Sequence, residues 1–137
     1  MKQNHNQAES MKTYNPKSVA APGASYNHGV EIPPGARILY LSGQIAQKTD
    51  KSVPESIEEQ SEVVWQNIKA ILAEAGMGIE NLVKINSYVT RPENFAKYAA
   101  VRGKHLGSHK PASTSVVVLA LANPVWLVEV EAVAAMA

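Results

Sequence analysis

Between Pro54 and Ala75, the apolar residues Ile57, Val64, Ile68, Ile71, Leu72 and Ala75 recur at spacings of three, four and seven. That pattern is one apolar stripe of an amphipathic helix. Ser56 and Glu59 have the spacing of a capping box, Pro54 suits the first turn, and Gly76 and Gly78 offer a left-handed stop. A second helix is predicted from Pro92 to about Leu106, with Thr90 and Glu93 as a further capping box, alanines on its inner side and Gly107 at its end.

Around these helices the pattern changes to that of strands. "SYNHGVEI" and "ARILYLSGQIA" read as two strands separated by "PPG", which cannot continue a ladder. Ile38 to Leu41 has the composition of a central strand, and Gly43 permits close approach of another group. Leu82 to Val89 alternates imperfectly. Thr114 to Ala122 is almost wholly apolar, as expected of a strand covered on both faces. After a turn at Asn123-Pro124, Trp126 to Ala135 forms the last strand.

The order strand, strand, helix, strand, helix, strand, strand predicts an α+β layer with both helices on one face of the sheet. Residues 1–13 are polar and are expected to form a disordered tail, whether translation starts at Met1 or Met11; residues 14–137 form one domain. The Pro/Gly/Ser-rich stretch after Tyr14 is expected to run as a surface loop. On the last strand Glu129 and Glu131 share a face with Leu127 and Val133, opposite Trp126, Val128 and Val130. One face meets the helices. The other, still partly apolar, predicts a homo-oligomer.

Composition narrows the chemistry. A net charge of +1 argues against a dedicated nucleic-acid binder. The chain has no cysteine, which excludes disulfides, thiolate metal sites and cysteine nucleophiles. Its first residues lack the apolar core of a secretory signal, and no apolar run is long enough to span a bilayer. A soluble cytoplasmic protein is the expectation. Phosphate-binding glycine loops and serine nucleophile elbows are absent.

Two carboxylates and three histidines stand out. Glu129 and Glu131 are either partly desolvated at a subunit interface, with pKa values raised toward acid–base work, or solvated charges on an outer face. His105 and His109 lie four apart but are interrupted by glycine and serine, which favours interaction with the end of the helix over a zinc site. His28, beside Tyr26, is a strand-edge residue or a polar group of a pocket.

Read together, "SYNHGV", "YLSGQIA", "NIKAILAEAGMGIENLVKINSYVT", "PASTSVVV" and "LVEVEAVA" resemble the Rid family, also called YjgF/RidA and labelled endoribonuclease L-PSP. The resemblance runs from about Tyr14 onward. It implies a chorismate-mutase-like α+β subunit, a homotrimer with small-molecule clefts between subunits, and hydrolysis of reactive enamines and imines such as 2-aminoacrylate without metal or organic cofactor. It also implies that Tyr26 and Gly43 line the cleft, while Glu129 holds or activates the attacking water. No nucleic-acid or membrane partner is expected.

One departure changes the expected substrate. Deaminating members carry arginine in Pro-Ala-Arg-Ser, where the guanidinium grips the substrate carboxylate. Here "PAST" places Ser113 at that position, and Ala99 aligns with a cleft asparagine. Losing the bidentate contact should weaken binding of 2-imino acids by roughly 1.5–3 kcal/mol. The resemblance therefore implies a reactive imine or enamine other than 2-aminoacrylate. The alternatives are a trimer that binds a metabolite without turnover and the ribonuclease or translation inhibitor of the older label. Arg102, one helical turn from Ala99, is placed to reach into the same region.

Overall fold

The computed structural model describes residues 11–23 and 25–137. A short antiparallel ribbon comes first, formed by β1 (Lys12–Tyr14) and β2 (Gly29–Glu31). The main sheet contains β3 (Arg37–Ile45), β4 (Leu82–Thr90), β5 (Ala112–Val118) and β6 (Val128–Met136), in the order β3-β6-β4-β5. β4 and β5 are parallel, and the other pairs are antiparallel. Helices α1 (Ile57–Glu74) and α2 (Phe95–Leu106) pack together over one face, as the patterning predicts. α2 is the crossover that a parallel β4–β5 pair requires.

The core lies between the helices and this face. Val64, Trp65, Ile68 and Leu72 of α1 are fully buried, as are Ile85, Val89, Val128 and Val130 of the two central strands. The β6 alternation works as expected: Val128 and Val130 point to the helices, while Glu129 and Glu131 are half-buried on the other face. α1 starts at the expected cap, where Ser56 Oγ accepts the Glu59 N–H at 3.1 Å. It stops at Gly76, with φ of +72°. The patterning overlooked Gln60, which is 1% exposed. Its amide donates to the Pro54 and Val125 carbonyls at 2.9 and 2.8 Å and accepts the Leu127 N–H at 2.8 Å, tying two loops to α1.

Several expectations are corrected. The 13/14 boundary falls inside β1, whose backbone pairs with β2 although its exposed side chains carry no hydrophobic signal; the rest of the expected tail, residues 1–10, lies outside the described residues. β3 is an edge strand, and its Ile38 and Tyr40, on the face away from the helices, are 49% and 76% exposed. The apolar run after Thr114 also forms an edge strand, β5. It is uncovered within the chain, with Val116 and Val117 41% and 46% exposed. The imperfect alternation of β4 is a register shift between Leu82 and Lys84, which puts both Leu82 and Val83 in the interior.

α2 is preceded by a single 3₁₀ turn, Pro92–Asn94, and has no side-chain cap. Thr90 Oγ1 instead donates to the carbonyl of Leu127, the residue before β6, at 3.4 Å. Tyr98, Val101, Arg102 and Leu106, rather than the alanines Ala96 and Ala100, form the inner side of α2. Gly107, with φ of +58°, ends it as expected.

Candidate functional site

The expected site residues fall into two groups. The first forms where β3 meets β6. Between Leu41 and Gln44, β3 carries one more residue than its partner, since Leu41 pairs with Ala132 and Gln44 with Val130. This bulge brings Gly43 against Glu129 so closely that a Cβ at Gly43 would lie 2.9 Å from Glu129 Cδ. A side chain at position 43 and the carboxylate cannot occupy the same space.

The two carboxylates of β6 differ in what holds them. Glu131 accepts hydrogen bonds from Tyr88 Oη at 2.6 Å and Asn86 Nδ2 at 3.2 Å. Glu129 has no hydrogen-bond partner among the described residues. One carboxylate is tied into the sheet, and the other keeps its lone pairs for a further group. Tyr88 lies opposite Glu129 in the β4–β6 register. Its hydroxyl pKa is pushed above the usual 10.0, first by donating to Glu131 and then by desolvation and the negative charge of both carboxylates.

The second group gathers at β5. Asn27 binds the Pro111 carbonyl through its backbone N–H at 3.1 Å and the Lys110 carbonyl through its side chain at 2.6 Å. These bonds hold the Tyr26 segment beside the start of β5. Tyr26 meets His28 edge-on at 5.7 Å, and His28 Nε2 lies 2.6 Å from the Ala20 carbonyl. Ser113 pairs with Ile85 and therefore faces the helices, as does Ser115, opposite Ser87. Ala99 is half-buried on α2. Glu129 is on the open face, so one chain does not bring Glu129 and Ser113 together.

His105 and His109 bond different partners. His105 Nε2 is 2.9 Å from Glu62 Oε2, with its ring stacked on Trp65 at 6.1 Å. His109 Nε2 lies 2.7 Å from the Leu82 carbonyl. As expected, both histidines sit at the end of α2: His105 lies in its last turn, and the His109 backbone N–H bonds the Leu106 carbonyl at 3.1 Å.

This fold and these segments have known relatives. The family profile described as endoribonuclease L-PSP matches residues 17–136. The chain belongs to this family, the Rid or YjgF proteins. It is 36% identical to protein HMF1 of Saccharomyces cerevisiae, over 87% of this chain and 90% of the relative. It is 40% identical to the mitochondrial protein MMF1 of the same yeast, over 72% of this chain and 66% of the relative. Among solved structures, the Rid family protein YyfB of Yersinia pestis superposes with a TM-score of 0.79 at 28% identity, covering 91% of this chain and 98% of that one. RidA from an Antarctic Psychrobacter gives 0.68 at 29% identity, covering 90% and 98%.

At β5 this Rid protein departs from the motif that the resemblance implies. Where the resemblance expects arginine it has Ser113; on the other face of β5 Lys84 Nζ donates to Thr114 Oγ1 at 2.8 Å, and on the face of Ser113 a cation comes from α2. Arg102 Nη1 donates to Ser115 Oγ at 3.0 Å. Pattern reading missed Ser115 and Tyr88, since a serine in an apolar run and a tyrosine in a strand carry no distinctive spacing. Among the described residues, no helix is long and apolar enough to cross a membrane.

Proposed function

We propose that this Rid protein is a homotrimer whose inter-subunit clefts hydrolyse an imine or enamine other than 2-aminoacrylate. The observation that carries this reading is Glu129, a carboxylate left without a hydrogen-bond partner among the described residues, over the bare backbone of Gly43. Such a group can orient a water toward an electrophilic carbon. Glu129 accepts a proton as the water oxygen bonds to the imine carbon. That proton returns to nitrogen to give a neutral carbinolamine, whose hydroxyl proton then passes through Glu129 to nitrogen as the C–N bond breaks, giving a carbonyl compound and ammonia. An enamine enters the same path once its β-carbon is protonated. The reaction consumes one water and needs no cofactor.

Two features support assembly across subunits. Glu129 and Gly43 lie on the opposite side of the sheet from Ser113, so a cleft containing both groups requires a second copy of the chain. The open face also exposes Ile38, Tyr40 and Val116 at 49%, 76% and 41%, an apolar surface suited to burial in an oligomer. In this arrangement Tyr26, Ser113 and Ala99 from one subunit would contact a ligand held over Gly43 and Glu129 of the next. With serine and alanine in place of arginine and asparagine, the cleft is roomier than that of a 2-aminoacrylate deaminase.

An RNA-cleaving reading of the family label draws no support from the histidines among the described residues. His28, His105 and His109 are each bonded to separate partners: a backbone carbonyl, Glu62 and another backbone carbonyl. A cytoplasmic setting belongs to the proposal, and cell fractionation tests it against an organelle.

The function is tested by ammonia release from imines generated in situ, with the oligomer followed by sedimentation. Glu129→Ala should abolish turnover and leave the trimer intact. An unchanged rate would refute the role of Glu129. Saturable binding with no product from any imine would leave a binding trimer.

A further inference from the structure

Of the arginines at positions 37, 91 and 102, only Arg102 is buried, at 9% exposure. A buried guanidinium is normally paired with a carboxylate, because desolvating an unpaired charge costs several kcal/mol. Arg102 is not. Among the described residues, no carboxylate oxygen comes within 4.0 Å of it, whereas Lys97, Lys104 and His105 each find a glutamate. Its contacts are neutral: Nη1 donates to Ser115 Oγ at 3.0 Å, and its guanidinium carbon lies 5.5 Å from the Tyr98 ring centroid. The Tyr98 hydroxyl is shared with Ser87 at 2.5 Å.

The position of this cation gives it a use. Ser115 belongs to edge strand β5, two residues from Ser113 on the same face, and both serines are half-buried. Ala99, one turn earlier on α2, is also half-buried and fills little space. Among the described residues the guanidinium is hydrogen-bonded through Nη1 alone and Ser113 Oγ has no partner, so donors remain on the face of edge strand β5 that Arg102 meets. A carboxylate fits that fork better than any neutral group, since a planar guanidinium matches its two oxygens.

We propose that Arg102 is the anion-binding residue of the cleft, receiving the ligand's carboxylate with the Ser113 hydroxyl as a second donor. The fixed charge thus reaches β5 from α2 rather than standing on the strand. The ligand class becomes a carboxylate-bearing imine whose remaining substituent is larger than that of 2-aminoacrylate. This rests on the reading of the cleft as a ligand site.

The test uses a stable pair of probes, 4-methyl-2-oxopentanoate and its neutral amide, with binding followed by calorimetry on the full chain. Wild type should bind the acid and not the amide. Arg102→Gln should weaken the acid by about tenfold to a hundredfold, the range of a charge-assisted contact. Ser115→Asp supplies a second check that does not depend on the fold tolerating loss of Arg102. Its carboxylate should occupy the guanidinium, preserving or raising Tm while removing acid binding. Equal binding of acid and amide by wild type, no binding of either, or undiminished acid binding by the folded variants would overturn the proposal. Glu129→Gln separates the two readings: retained acid binding with lost turnover supports both. Retained turnover in Glu129→Gln, with acid binding still dependent on Arg102, leaves the anchor standing and removes the hydrolytic role of Glu129.

Discussion

Gly43 and Glu129 are complementary: a Cβ at position 43 would stand 2.9 Å from the Glu129 carboxyl carbon, closer than unbonded carbon atoms approach. The bulge in β3 creates this contact by placing an extra residue opposite β6. Gly43→Ala should therefore displace the carboxylate. The expected result is turnover reduced by about tenfold or more, in line with sub-ångström misplacement of a reacting group. Tm should change little, because among the described residues the Glu129 carboxylate has no hydrogen bond to lose. Steady-state rates and thermal melting check both parts, and an alanine variant with wild-type turnover would remove Gly43 from the site.

Glu131 should behave unlike its neighbour two residues away. It accepts from Tyr88 and Asn86, and Glu131→Ala would strand both donors on a half-buried face. The variant should lose about 1–3 kcal/mol of stability. Urea unfolding measures the loss.

Gln60→Leu tests the buried clamp on α1. The substitution keeps the apolar bulk but deprives the Pro54 and Val125 carbonyls and the Leu127 N–H of their partner. A loss of about 3 kcal/mol is expected from burying unsatisfied backbone groups. A midpoint in urea unchanged from wild type would mean that water replaces the amide.

Alkaline pH should weaken the fold through tyrosine. The Tyr88 pKa is raised above 10.0 chiefly by its bond to Glu131, and that of Tyr98 chiefly by burial. A folded-state pKa above the unfolded value means that the neutral hydroxyl is the stabilising form. The contribution is complete below pH 10 and is lost as pH rises through the folded-state pKa. Tyr88→Phe should flatten part of that decline, leaving the share due to Tyr98. Denaturant unfolding as a function of pH, from neutral to strongly alkaline, checks the slope.

Periodicity determined the elements whose signal is local. α1 is legible because its stripe repeats every turn and its ends carry Ser56 and Gly76. The β6 faces are legible because Val128 and Val130 alternate with Glu129 and Glu131. The α+β layer follows from the order of such elements, and family-like segments pointed to Glu129, Gly43 and Tyr26 as residues of one site. Other features depended on which strands became neighbours. An apolar run reads alike in a central and an edge strand, so the places of β3 and β5 at the margins emerge only from the pairing. The β3 bulge, the separation of Glu129 from Ser113 by the sheet and the contact of Arg102 with Ser115 were decided in the same way. Spacing along a chain records which side chains share a face, but only tertiary packing decides which faces meet.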